Sequence, residues 1–167
     1  MNRKEIAKET LRIQEQGYYI YDNERMDFAE TQKFSEDNSE LIVPKQGDDI
    51  VQEYLKLPKL QKRPVYSVNN SMMYTNHVIY SPDVVFFRDE RFTLMKQLVT
   101  ASVLTLPAVN YGQVVLMGED CEEAERVMKD RMRLALAIFA QKGAKHLILG
   151  AYGCGVFRND PVKIATW

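Results

Sequence analysis

The sequence predicts an α/β fold with at least part of its sheet parallel. Three observations point there. "DVVFFRDE" and "LVTASVLTLPAV" are compact apolar runs of strand length, the second ended by Pro107. "DCEEAERVMKDRMRLALAIFAQKG" is the strongest helical pattern in the chain. "HLILG", from His146, is a continuous apolar run of the kind found in strands covered on both faces, followed by glycines and a helix start. Strand, strand, helix, strand, helix is the order of an α/β domain.

Taken from the N-terminus, "NRKEIAKETLRIQEQG" carries Ile6, Thr10, Leu11 and Gln14 at helical spacing, with Gly17 as its stop. So few apolar residues predict a surface helix. "YYIYDNERMDF" alternates like a hairpin, with its turn at "DNE". Between Ala29 and Pro64 the order is harder to read. Leu41–Val43 and Pro64–Val68 are short strand candidates, and "DDIVQEYLKL" between them reads as a helix opened by Asp48 or Asp49 and closed by Pro58. In the long C-terminal helix, Ala124, Val127, Met128, Met132, Ala135, Ile138 and Phe139 form the apolar stripe. Asp120, Glu122 and Glu123 occupy its first turn and Gly143 follows its last.

Bulk properties narrow the function classes. The 167 residues suit one domain with a real core. A formal net charge of −1 gives no general attraction to nucleic acid or an anionic membrane, so any anion must be held locally. No apolar run approaches the roughly 20 residues of a membrane span. The opening segment is polar and helical rather than signal-like, so the expected location is the cytoplasm. Cys121 and Cys154 make no disulfide framework, and with His77 and His146 they do not reach a zinc pattern; no cofactor or metal is expected.

The chemistry concentrates in "HLILGAYGCGVFRNDP". Gly150, Gly153 and Gly155 permit positive φ and a close approach of ligand to main chain. Asn159 or Asp160 can cap the next helix, and Pro161 fits its first turn. Main-chain amides beside a helix start make an anion site that needs no lysine. The bend is neither a phosphate loop ending in G-K-[ST] nor a G-x-G-x-x-G dinucleotide fingerprint. On spacing alone, a plain tight turn and a phosphate site remain open.

The same residues closely resemble a signature of the microbial-type poly(ADP-ribose) glycohydrolases, relatives of the macro domains, in which the stretch reads roughly L-V-L-G-A-W-G-C-G-V-F-x-N-D-P. "MMYTNHVIYSPDVVFFRDE" resembles a second block of that family, "VLTLPAVNYG" its strand ending in A-P-N, and "RKEIAKETLRIQEQGYY" its opening helix. The resemblance implies a macro-domain-like, three-layer α/β/α fold with a mixed sheet, holding ADP-ribose in a cleft. It carries the diphosphate loop onto Gly150 to Phe157, with backbone donors at Gly153, Cys154, Gly155 and Val156 and with Phe157 near the ribose. The implied partners are ADP-ribose, poly(ADP-ribose) or ADP-ribosylated proteins.

The chain also departs from the family. The family's glycine run followed by Q-E-E, whose second glutamate is thought to act as general acid, is not found. Gln52-Glu53 in "IVQEYL" has neither the glycines nor the second glutamate, so no catalytic residue is assigned. The 1–167 domain is expected to be shortened internally near Asn70 and Ser71 and at its C-terminus. Hydrolysis of the ribose–ribose bond, the family reaction, loses its acid; the alternatives are a noncatalytic reader and an inactive remnant.

Other candidates have plainer readings. Cys154 as a nucleophile lacks a partner in sequence, and packing is preferred. His77 and His146, the latter at the start of a buried strand, are read as hydrogen-bonded structural residues. Arg88, Asp89, Glu90 and Arg91 are read as a solvated turn. Tyr74, Tyr80 and Tyr152 could stack on adenine or simply pack. Asn110 could contact a ribose hydroxyl or shape the turn into Gly112.

Overall fold

The computed structural model describes residues 2–44 and 71–167. The helix expected at "DDIVQEYLKL", the strand at Pro64–Val68 and the pair Gln52-Glu53 lie outside the described residues. In order, the elements are α1 (Arg3–Gln16), β1 (Tyr18–Tyr21), β2 (Glu24–Asp27), α2 (Ala29–Asn38), β3 (Glu40–Ile42), β4 (Val78–Arg88), β5 (Leu94–Thr105), α3 (Tyr111–Met117), α4 (Cys121–Gln141) and α5 (Pro161–Thr166). The strands form a two-stranded sheet, β1-β2, and a three-stranded sheet in the order β3-β4-β5. This mixture of helix and strand is of the α/β class. The chain divides into two compact units, Met1–Glu40 with Tyr80–Val103, and Leu41–Ile79 with Leu104–Trp167.

In the first unit, α1 is capped by Asn2, whose side chain accepts from the Lys4 amide, and ends at Gly17 in the left-handed region. Gly17 is obligatory. Its φ is +73°, and a Cβ there would lie 2.6 Å from that of Ala29. β1 and β2 pair antiparallel, Tyr18 opposite Asp27, around a turn in which both Asp22 and Asn23 have positive φ. That is the primed turn whose twist matches a two-residue hairpin. Ile13, Tyr19, Phe28 and Phe87 form the core, with Phe28 and Phe87 stacked at 5.4 Å. Ile13, absent from the expected stripe, is the buried residue of α1.

β4 and β5 are joined by residues 89–93, a connection too short for anything but an antiparallel hairpin. Asp89 shapes the turn by accepting from the amides of Arg91 and Thr93, and Arg88 pairs with Glu9 at 2.7 Å. The plain turn reading holds. β4 begins at Val78, ahead of the expected start at Asp83, despite Pro82 and a φ of +49° at Asp83.

In the second unit, α3, α4 and α5 pack on a core of Ala108, Val109, Val114, Ala124, Met128 and Ile164. Asp120 caps α4 by accepting from the amides of Glu122 and Glu123, and Gly143 takes a φ of +73° just beyond it, both as the sequence pattern requires. α3 was not foreseen.

One element needs correction. "HLILG" forms no strand among the described residues: 146–150 have no ladder there, and Leu147, Ile148 and Leu149 are 42%, 99% and 65% exposed. A doubly covered strand exists only by virtue of its neighbours, and none of the described strands pairs with this segment. His146 is accordingly exposed rather than at the head of a buried strand.

Candidate functional site

The glycine-rich bend lies in the second unit and consists of two successive turns. The Cys154 amide donates to the Ala151 carbonyl at 3.0 Å, closing a turn whose third residue, Gly153, has a φ of +71°. A type II turn demands that left-handed value. The Arg158 amide donates to the Gly155 carbonyl at 3.0 Å and closes the second turn.

Four anchors hold the pair. Tyr152 donates its hydroxyl to the carbonyls of Leu106, at 3.2 Å, and Pro107, at 2.6 Å. Asn159, 6% exposed, donates its side-chain amide to Val109 O at 2.8 Å. The Gly112 amide donates to Phe157 O at 3.0 Å. The Phe157 ring lies 5.9 Å from that of Tyr74.

Three consecutive amides, those of Gly155, Val156 and Phe157, have no acceptor among the described residues. Val156 is 91% exposed, and among the described residues nothing lies within 4 Å of where a Gly155 Cβ would stand. Successive N–H groups in such a turn form a concavity for an anion. Cys154 is corrected as a donor, because its amide is committed to Ala151. Its thiol is half-buried against the core and donates to Tyr152 O at 3.7 Å, in line with packing. Gly153 is required by contact as well as by φ: a Cβ would lie 2.6 Å from Asn159 Nδ2 and 2.8 Å from Ala108 Cβ. Gly150 is exposed, and no atom of the described residues lies within 4 Å of where its Cβ would stand.

The helix that follows contributes less than its position promised. Asp160, not Asn159, caps α5; its carboxylate accepts from Val162 and Lys163, so the first-turn amides are already taken. Asn110 caps α3, its side-chain Oδ1 accepting from the Gln113 amide at 3.3 Å. His77 shares a hydrogen bond with Thr75 Oγ1 at 2.9 Å, the structural role expected of it. Tyr80 belongs to the first unit, where its hydroxyl donates to Ser102 Oγ at 3.1 Å.

Sequence reasoning missed Arg131. Its guanidinium, 1% exposed, donates from Nε to Asn76 Oδ1 at 2.9 Å, from Nη1 to Pro107 O at 3.1 Å and from Nη2 to Tyr74 O at 3.0 Å. Burial brings its pKa down to about 10, well above neutrality, so the group is cationic. The same desolvation pushes the Tyr152 phenol above its ordinary 10.0, with Arg131 opposing. A spacing signal did exist, since position 131 falls seven residues from both Ala124 and Ile138, on the buried side of α4.

No family profile and no curated protein matches the sequence. Solved structures do. The poly(ADP-ribose) glycohydrolase of Thermomonospora curvata gives a TM-score of 0.79 at 22% identity, over 98% of this chain and 84% of that one. The same enzyme bound to the inhibitor ADP-HPD gives 0.79 at 23%, with the same coverage. The poly(ADP-ribose) glycohydrolase of Deinococcus radiodurans in complex with ADP-ribose is 41% identical, over 57% of this chain and 39% of that one, with a TM-score of 0.56. The Thermomonospora likeness is one of fold, and the Deinococcus likeness adds sequence over more than half of the chain. The resemblance to microbial poly(ADP-ribose) glycohydrolases is thereby borne out, and with it the α/β class.

Proposed function

We propose that this chain binds ADP-ribose, free or as a unit of poly(ADP-ribose), through the main-chain amides of Gly155, Val156 and Phe157. The observation that carries this reading is that these three amides have no acceptor among the described residues, while the loop presenting them is anchored by Tyr152 and Asn159. A diphosphate offers several oxygens to a row of N–H groups, and charge-assisted bonds of that kind are roughly twice as strong as neutral ones. Because the donors belong to the backbone, the site works in a chain of net charge −1. The likeness to an enzyme held in complex with ADP-ribose supports the same ligand.

Cleavage of the ribose–ribose bond needs a protonated carboxyl beside the leaving oxygen. Three carboxylates of the second unit are otherwise engaged. Asp160 caps α5, Glu125 pairs with Lys163, and Glu119 accepts from Ser71 Oγ and the Met72 amide. These three groups serve structure, and because the family's glycine run and Q-E-E are not found in the sequence, the reading is of a binder without the family's hydrolysis.

Isothermal titration with ADP-ribose tests the binding. Saturable heat is expected, with a melting temperature that rises as ligand is added; ligand at 100 times its Kd stabilises by about 2.7 kcal/mol. Absence of both at millimolar ligand overturns it. Incubation with automodified polymer tests the chemistry, and release of free ADP-ribose would refute the noncatalytic part.

A further inference from the structure

We propose that Arg131 is the positioning residue of this site, fixing the Phe157 ring indirectly by locking Tyr74. The inference rests on reading Gly155 to Phe157 as the diphosphate loop, and it assigns a role to a buried cation that the binding chemistry does not use.

Arg131 occupies a position where packing alone calls for an aliphatic residue. Ala124, Met128, Leu134 and Ile138, on the same buried side of α4, are all fully enclosed. An enclosed guanidinium loses its hydration, and the usual remedy is a carboxylate. Arg131 has none among the described residues: its partners are two backbone carbonyls and a carboxamide. Such a residue is held in place by the geometry it imposes rather than by charge pairing. Only a planar fork with donors on three nitrogens reaches three acceptors in separate directions.

Those acceptors lie on two stretches of chain that meet the glycine-rich bend. Pro107 O is shared with the Tyr152 hydroxyl, so one carbonyl receives a donor from the bend and another from α4. Tyr74 O and Asn76 Oδ1 belong to the segment ahead of β4. Tyr74 has a φ of +59°, a strained value for an aromatic residue that persists only where surrounding bonds enforce it. The bond from Arg131 to its carbonyl is such a constraint, and the conformation it enforces sets the Tyr74 ring 5.9 Å from Phe157. The sequence of control is Arg131, then the Tyr74 backbone, then the Tyr74 ring, then Phe157.

The test uses the full chain carrying Arg131→Met, Arg131→Lys, Tyr74→Ala and the double variant Arg131→Met with Tyr74→Ala. Two readouts separate positioning from bulk stability. The first needs no ligand: NMR of the Phe157 ring protons, whose ring-current shift from Tyr74 should vanish in both Arg131 variants as it does in Tyr74→Ala. The second is the Kd for ADP-ribose, expected to rise about tenfold in each single variant and no further in the double one. Lysine should not rescue, because it keeps the charge and loses the fork. The proposal is overturned by an unchanged Phe157 signal, by wild-type affinity in Arg131→Lys, or by fully multiplicative losses in the double variant. If the unmodified protein binds no ADP-ribose, the binding reading fails while the NMR arm still decides the role of Arg131. Should Arg131→Met not fold, Asn76→Ala removes one acceptor and leaves two, and the same Phe157 shift is then expected in reduced form; no change there overturns the proposal.

Discussion

Asn159 grips the carbonyl of Gly153 twice, through its backbone amide at 3.2 Å and its side-chain amide at 3.0 Å. The contact ties the end of the glycine-rich bend back to its first turn, and it leaves no room at Gly153 for a side chain.

Gly153→Ala is therefore expected to be costly. The new methyl group would stand 2.6 Å from Asn159 Nδ2 and 2.8 Å from Ala108 Cβ, at a φ of +71°. Overpacking and backbone strain together should remove about 2–4 kcal/mol. A urea titration checks the value, and a loss below about 1 kcal/mol would mean that the turn relaxes freely.

Gly155→Val should behave in the opposite manner. Among the described residues no atom lies within 4 Å of where its Cβ would stand, and φ is not in the left-handed region, so the fold should survive with an unchanged melting temperature. A branched side chain there would fill the space needed by the diphosphate, and ADP-ribose binding should be lost. Retained affinity in the folded variant would move the site elsewhere.

Tyr152→Phe should reveal itself through pH. The buried phenol has its pKa raised by desolvation, so the folded state keeps its proton where the unfolded state, with a value of 10.0, gives it up. A group of this kind contributes stability that is fully present below pH 10 and lost as pH rises toward the folded value. Phenylalanine also forfeits the bonds to Leu106 and Pro107, a loss of about 1–2 kcal/mol. The stability gap between wild type and Tyr152→Phe should thus be constant up to about pH 9 and narrow above pH 10. Parallel pH profiles would refute the assignment.

Ile148→Lys should improve solution behaviour without a stability cost. Ile148 is 99% exposed between Leu147 and Leu149, in a segment with no ladder among the described residues. Unpaired strand edges with apolar side chains recruit other chains, and a lysine blunts them. Light scattering during concentration should fall, with the melting temperature unchanged. Undiminished scattering would locate the association surface elsewhere.

Local interactions are what the sequence by itself determined. Asp120 and Gly143 bound the long helix because capping and left-handed glycine act within one turn. Asp22 and Asn23 set the first hairpin for the same reason, and the glycines of the bend declare a backbone turn wherever it sits. Only the tertiary structure decided the rest. "HLILG" has the composition of a buried strand, yet a strand is made by its neighbours. The Cys154 amide is spent on Ala151, leaving the amides of Gly155 to Phe157 without an acceptor among the described residues. Arg131 reads as surface charge on any hydropathy scale, and it is buried because Tyr74, Asn76 and Pro107, distant in sequence, bring three oxygens to one point. Hydrogen-bond satisfaction across such separations is a property of the folded chain, and no local pattern encodes it.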